Sequence, residues 1–488
     1  MSALSDTTPS PAESTAGDTT QQGPRGYQYR WMVMAAVIIA DVMDLLDATI
    51  ANLAGPSIRE DLGGSQSTLQ WVLAAYTMSF AVGLVVSARA GDLVGRRRMF
   101  IIGMAGFTVA SLLCGLAPTA GALIAFRVLQ GLFGAVMIPQ GLAMVKQSFH
   151  PDDLQKAFIP FGPIMGLAAV LGPILAGFLI DADLFGTGWR MIFLVNIPVG
   201  IVGTVLAIKY LPDLPRNRGA RLDVVGSLLL AAASALLIYP LVQGREHDWP
   251  LWCFLMMGAA VIVFAGFVVS ERRSAHPVIE RSLFRNRGFV AGVVFLASFF
   301  VAMNGLMLIV NLFIQLGLGF SPMHTGVAMT PLALGLAIGA AASGAALGPR
   351  FGRKVLHGGL VVIGLGMLAL WLTIDRGGTS TSGWDLAPAL FVVGLGSGVI
   401  FAPLFDIILA GLGDHEVGTG SGVLNAAQQF SGALGVAIIG TIFFQWLPPE
   451  GWADATKGIV LVSVACYAVS FLVAFLLPKE AREGAELA

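Results

Sequence analysis

Asp41, Asp44 and Asp47 stand three apart in "ADVMDLLDATIAN" (residues 40–52), a run that is otherwise almost wholly apolar. As a helix this segment turns about 100° and rises about 1.5 Å per residue. The three carboxylates therefore sweep an arc of about 120° and climb about 9 Å, and Asn52 returns to the same face. Three ionised carboxylates on one apolar face would repel one another and lack water, so burial and like charge oppose their joint ionisation. At least one is expected to load and release a proton near neutral pH, with Asp47 the deepest. Asp41, nearest the helix start, either joins this stripe or faces water.

Arg127, in "LIAFRVLQGLFGAVMIP" (123–139), is the matching cation. A guanidinium inside a membrane span costs about 2.5–3.5 kcal/mol on insertion scales, so it is kept where it faces a cavity or a partner. Gln130 and Gly131 share its helix face and supply an amide beside a site of close approach. Arg127 would favour the charged form of whichever carboxylate it approaches, and carboxylates pushed apart in this way are what proton coupling needs. Asp406, in "FAPLFDIIL", is a further acid inside an apolar run, read as a buried substrate or second proton site. Asn425, Gln428 and Gln429 on the next helix, with Asp406, Asn52 and Gln130, are expected to line the substrate cavity. Trp71, Tyr76, Asn304, Asn311, Phe313 and Gln315 add aromatic and amide groups suited to an amphipathic ligand, although each alone is more often packing than site.

These residues need elements that hold them in an apolar medium. The 488-residue chain is 56% hydrophobic and 12% charged, against roughly 25% charged in an ordinary soluble domain. Apolar runs long enough to cross about 30 Å of hydrocarbon recur along it, which makes it an all-α polytopic membrane protein. Fourteen spans are predicted, beginning near Trp31, Leu69, Met99, Ala120, Lys156, Met191, Leu222, Leu251, Phe289, His324, Val355, Leu386, Val417 and Gly458. An even number places both termini on one side. That side carries most of the 28 Lys and Arg, while Arg59, Arg190, Arg245, Arg376 and Lys457 fall opposite, so the termini read as cytoplasmic.

Residues 1–30 read as a disordered cytoplasmic tail without a signal peptide, and 479–488 as a second tail. "GDLVGRRRMF" after span two is echoed by "GPRFGRKVL" after span ten. Removing an inserted hairpin (213–275) leaves two six-helix halves, 31–212 and 276–478, an arrangement that places a transport site between them. The hairpin has no buried charge over 222–270 and reads as peripheral. Cys114, Cys253 and Cys466 lie in or beside apolar runs and define no disulfide framework or metal site. No lysine follows a glycine, so a phosphate-binding loop of the GK[ST] type is absent. Neither nucleotide nor nucleic acid is implied as a partner. No catalytic constellation can be assembled.

In "ARAGDLVGRRRMF" (88–100), Asp92 precedes a tight turn at Gly95 and three arginines, and "GLAAVLGPILAGFL" (166–179) places Gly166, Gly172, Pro173 and Gly177 in one kinked, closely packed helix. With "LLDATIANLAGPSI" (45–58) and the Arg127 segment, these stretches fall in the order and spans of the signature motifs of the major facilitator superfamily. The chain resembles its fourteen-span drug:proton antiporter branch over about residues 30–478. The resemblance implies proton coupling at Asp47 and Arg127, a gating latch at Asp92, Gly95 and Arg96, and export from the Gly-Pro motif. It implies no cofactor, protons being the coupling ion, and an inner-membrane location. The substrate would be an amphipathic small molecule, and a cationic one would compete with the proton for Asp47 and its neighbours. Several positions depart from the family pattern: Ala88 replaces its leading glycine, Leu93 its basic residue after the aspartate, Asp406 a residue usually uncharged, and Gln428 an arginine. Dedicated export of one self-made metabolite, or a non-transporting sensor on the same scaffold, are the alternatives.

Overall fold

The computed structural model describes residues 27–150, 153, 161–213, 224–273 and 281–479. The main helices of the described residues begin with α1 Arg30–Leu62, α2 Gln66–Val94, α3 Arg96–Gly115, α4 Ala120–Ser148, α5 Phe161–Asp181, α6 Asn196–Tyr210, α7 Val224–Gln243 and α8 Leu251–Arg273. The second half supplies α9 Arg287–Leu312, α10 Pro322–Ala342, α11 Lys354–Gly377 and α12 Gly383–Leu409. A final helical stretch, Asp414–Ala474, breaks at Gly451 (φ 80°) into α13 (Thr419–Pro448) and α14 (Gly451–Ala474). Among the described residues, eleven helices are long and apolar enough to cross a membrane, namely α3, α4, α6 with its preceding turns, and α7 to α14.

Local chemistry sets the helix ends. Thr119, Asn286 and Ser321 accept hydrogen bonds from the backbone N–H three residues on, and Ser382 with Asp385 forms a reciprocal capping box. Gly95 (φ 106°) turns α2 into α3 with no intervening loop. The predicted starts at Lys156 and Leu222 lie outside the described residues, as do most of the two tails. Tyr27 is described and held: its N–H donates to Ser148 O (3.0 Å). Helix α14 starts at Gly451, not at the expected Gly458, because its first two turns carry Asp454 and Lys457 and are too polar to register as apolar.

The helices form two bundles. In the first, α1 packs on α4, α5 and α6, and α4 on α2 and α3; in the second, α9 packs on α13 and α14, and α12 on α10 and α11. The halves meet along two seams, α2 with α13 and α5 with α10. We call the face that holds the start of α1 and the end of α14 the terminal face. At the opposite, far face the seams are bonded. Gln315 Nε2 donates to Leu53 O (2.8 Å), and Gln70 Nε2 donates to Val436 O (3.1 Å) and Ala437 O (3.2 Å). Asp181 accepts from Ser321 Oγ (2.7 Å) and Met323 N (3.0 Å) at the first turn of α10. The apolar core of the second half continues into Ala51, Leu69, Leu73 and Ala74 of the first.

The inserted hairpin is only half peripheral. Helix α8 packs on α7, whereas α7 lies across the α2/α13 seam. Thr441 Oγ1 donates to Leu241 O (2.6 Å), Ser67 N donates to Glu246 Oε1 (3.0 Å), and the Trp71 and Tyr239 rings lie 5.9 Å apart. A buried charge is also present, because α8 runs on to Arg273 and carries Glu271 under cover.

The repeated Gly-Arg segments are paired clamps. Arg97 donates to Ile208 O (2.6 Å) and pairs with Asp213 (2.8 Å) at the end of α6. Arg353 donates to Phe475 O and Leu477 O (2.7 Å each) at the end of α14. Both guanidinium groups satisfy carbonyls that a helix C-terminus leaves without partners. Arg97 therefore does more than set topology.

Candidate functional site

Asp47 and Arg127 meet in the middle of the first bundle. They are 2% and 1% exposed, so no bulk water screens them. Arg127 Nη1 donates to Asp47 Oδ2, its Nε donates to Val72 O of α2 (3.1 Å), and Nη1 also reaches Gln130 Oε1 (2.8 Å). Gln130 Nε2 donates to Asp47 Oδ1 (2.7 Å) and Ser111 Oγ (2.7 Å), and Cys114 Sγ approaches Gln130 Oε1 at 3.6 Å. Asn196 Nδ2 adds longer contacts to Asp47 Oδ1 (3.5 Å) and Ser111 Oγ (3.4 Å). Five helices thus converge on one ion pair. A buried pair is tolerated when its remaining lone pairs and protons are satisfied, and here both Asp47 oxygens and the Arg127 Nε and Nη1 groups have partners, with the Tyr76 ring beside the guanidinium.

Tyr76 forms the wall toward the terminal face. The Arg127 guanidinium lies 4.2 Å from its ring centroid, and its hydroxyl donates to Asp44 Oδ1. Helix α4 is bare beside it: a Cβ on Gly134 would lie 3.3 Å from the Tyr76 hydroxyl, and one on Gly131 would run into Ser79 and the Tyr76 carbonyl. Asp44, Asp41 and Asn52 are half-buried. The acidic stripe therefore divides into a sealed member, Asp47, and two accessible ones.

Other predicted residues fall elsewhere. Gln130 and Tyr76, expected to line a ligand cavity, are buried in the ion cluster. Asn311, Phe313 and Gln315 are buried at the far-face closure, where Gln315 also donates to Asn311 Oδ1 (2.8 Å). Trp71 turns to α7. Asp406, expected to be buried, is exposed, because it sits in the last turn of α12. Asn425 is exposed and bonded to Ser421 O (2.9 Å), whereas Asn304, Gln428 and Gln429 are half-buried. A small apolar cavity of about 50 Å³ inside the second bundle, lined by Met303, Met307, Leu332 and Tyr467 among others, contains none of the predicted residues.

Gly95 and Arg96 form the α2–α3 turn, while the side chain of Asp92 in α2 and the surroundings of Gly166 in α5 lie outside what is described. Gly172, Pro173 and Gly177 lie in α5 against α10. A Cβ on Gly177 would come within 2.5 Å of Met323 Cα, and one on Gly326 would strike the Pro173 carbonyl. This seam requires glycine on both helices. Ser111, Asn196, Gln70 and Asp181 were not singled out by sequence, and Cys114 was read only as part of an apolar run; the amide in "FLVNIPVG" is the one visible signal.

The Major Facilitator Superfamily model matches residues 37–436. The chain belongs to this family. It is a multi-span membrane transporter and not an enzyme. Among superfamily relatives it is 48% identical to the "Probable actinorhodin transporter" of Streptomyces coelicolor, over 92% of this chain and 78% of that protein. It is 34% identical to the "Puromycin resistance protein pur8" of Streptomyces alboniger, covering 96% and 92%. It is 32% identical to the "Tetracenomycin C resistance and export protein" of Streptomyces glaucescens, covering 91% and 81%. A solved POT family transporter shares the fold with a TM-score of 0.65 at 12% identity, over 90% of this chain and 95% of that one.

Proposed function

We propose that this transporter exports amphipathic small molecules of the antibiotic class across the cytoplasmic membrane in exchange for protons, with fourteen spans and both termini cytoplasmic. The observation that carries the coupling is the Asp47–Arg127 pair, sealed among five helices with Asp44 and Asp41 at its margin. Its charges cost too much in an apolar bundle to serve packing alone. Bonded far-face seams are consistent with a site that opens toward the cytoplasm. The relatives' names, given for actinorhodin, puromycin and tetracenomycin C, supply the substrate class. Each proton moving inward gains about 2.3 kcal/mol per 100 mV, enough for roughly fiftyfold accumulation outside.

One observation favours a narrower reading. The relative named for a single product shares 48% identity, against 32% for one named for multidrug resistance, which supports dedicated export of one metabolite. Purified protein in proteoliposomes, challenged with aromatic polyketides, dyes and quaternary ammonium compounds, tests both readings through substrate-driven proton release. Release by the whole panel means broad export, and release by one chemical class means dedicated export. No release with any compound in correctly folded protein refutes antiport.

A further inference from the structure

The carboxylate best placed by sequence to carry the proton is badly placed to exchange it. Both oxygens of Asp47 are engaged, by Arg127 on one side and by Gln130 and Asn196 on the other, and the residue is buried. Asp44 stands three residues nearer the terminal face, about 4.5 Å along the helix. It is half-buried, and its described partner is the Tyr76 hydroxyl. Tyr76 is the side chain that touches both: its hydroxyl is on Asp44 and its ring is under the guanidinium that holds Asp47.

Resting on the antiport reading, we propose that Tyr76 is a positioning residue of the proton step, holding Asp44 as the carboxylate that exchanges the proton while Asp47–Arg127 remains a fixed charge pair. In the ionised state the phenol donates to the Asp44 carboxylate. A proton arriving from water at the half-buried carboxylate adds to one of its oxygens, giving the acid, and Tyr76 keeps its own proton throughout. The acid needs its donor less than the anion did, because hydrogen bonds to charged groups are about twice as strong as neutral ones. Tyr76 is thereby freed to shift beneath Arg127. Loading of Asp44 thus changes the hold on the ion pair without breaking it.

The groups that face Asp44 are few. Asp41 and Asp47 flank it on α1, Tyr76 comes from α2 and Arg127 from α4. The other titratable residues of α2 and α4, Arg89, Asp92 and Lys146, lie in turns near the terminal face. Helices α5, α6, α9 and α10 carry theirs at the ends: Asp181, Lys209 with Tyr210, Arg287 and His324. The pH response of Asp44 is therefore set mainly by these four neighbours.

Dicyclohexylcarbodiimide, an apolar reagent that adds to protonated carboxyl groups, tests this without any substrate. The full chain in detergent is labelled across a pH series, and the modified peptide is read by mass spectrometry. Asp44 should be labelled and Asp47 should not. Tyr76→Phe keeps the ring under Arg127, so the fold should survive; it should change the Asp44 labelling rate at neutral pH about threefold and displace its pH profile. Asp44→Asn should abolish the labelling. Labelling at Asp47 instead of Asp44, or a profile unchanged in Tyr76→Phe, overturns the proposal. Labelling as expected with no substrate-driven proton release leaves Tyr76 and Asp44 in place and removes antiport. Proton release with Asp44 unlabelled does the reverse.

Discussion

Gln130 contacts more members of the ion cluster than any other neutral side chain described there, and replacing it by alanine separates the value of charged from neutral bonds inside the bundle. Its Nε2 donates to a carboxylate at 2.7 Å and its Oε1 accepts from a guanidinium at 2.8 Å. Hydrogen bonds to charged groups contribute about 1.5–3 kcal/mol each, so the two together reach roughly 3–6 kcal/mol. Asn196 can tighten on Asp47 and recover part, which leaves a net loss of about 3 kcal/mol, over a hundredfold in the unfolding constant. The internal control is Ser470→Ala. Ser470 is equally buried and bonds Ser298 Oγ at 2.6 Å, but both partners are neutral. Neutral interhelical bonds in membranes average about 0.6 kcal/mol. Equilibrium unfolding in mixed micelles, followed by circular dichroism, should therefore show a cost for Gln130→Ala about five times that for Ser470→Ala. Equal costs, within about 0.5 kcal/mol, would show that the cluster gains nothing from its charge and that the reading of a satisfied ion pair is wrong.

Asp181→Asn should weaken the far-face latch by about 1 kcal/mol, since the bonds to Ser321 and Met323 are solvent-exposed; a cysteine placed on α10 near residue 323 should react faster with an impermeant maleimide, and an unchanged rate counts against the latch. Arg97→Ala and Arg353→Ala should each lower stability by about 1 kcal/mol through lost helix-end bonds. Because the clamps sit in different halves, the double variant should be additive within about 0.5 kcal/mol, as a two-state unfolding series would show. Deleting residues 224–273 and rejoining the loops should leave proton coupling in place but open the far face to the same maleimide, because α7 bridges α2 and α13. Loss of coupling in well-folded protein would give the hairpin a larger part than a strap.

The members of the ion pair were legible because both are anomalies where they stand: a charge in an apolar run needs a partner. Which of the three carboxylates Arg127 meets was not, since helix periodicity alone does not fix how α1 faces α4. Gln130 was half legible. Its spacing put it on the Arg127 face, but nothing in one helix says whether that face meets a cavity or another helix. Ser111 and Asn196, and the place of Cys114 beside Gln130, were missed because small polar groups in apolar runs are common and acquire meaning only from neighbours on other helices. The depth of Asp406 was overestimated for the converse reason: hydropathy marks the length of an apolar run, not where its last turn emerges. The far-face closure also escaped, since Gln315 and Gln70 bond to backbone carbonyls, which carry no sequence signature.

The two arginine clamps bear on how such a chain is made. Each ties the third helix of one bundle to the end of that bundle's last helix, and neither uses a residue from the other half. The first bundle is therefore complete, clasp included, once residue 213 has left the ribosome. Nothing in that clasp waits for the remainder to be synthesised. Biogenesis can proceed as two successive closures, the second bundle assembling against a finished surface. The same self-sufficiency is what a doubled ancestral gene would need if its copies were first to insert separately and only later to be joined.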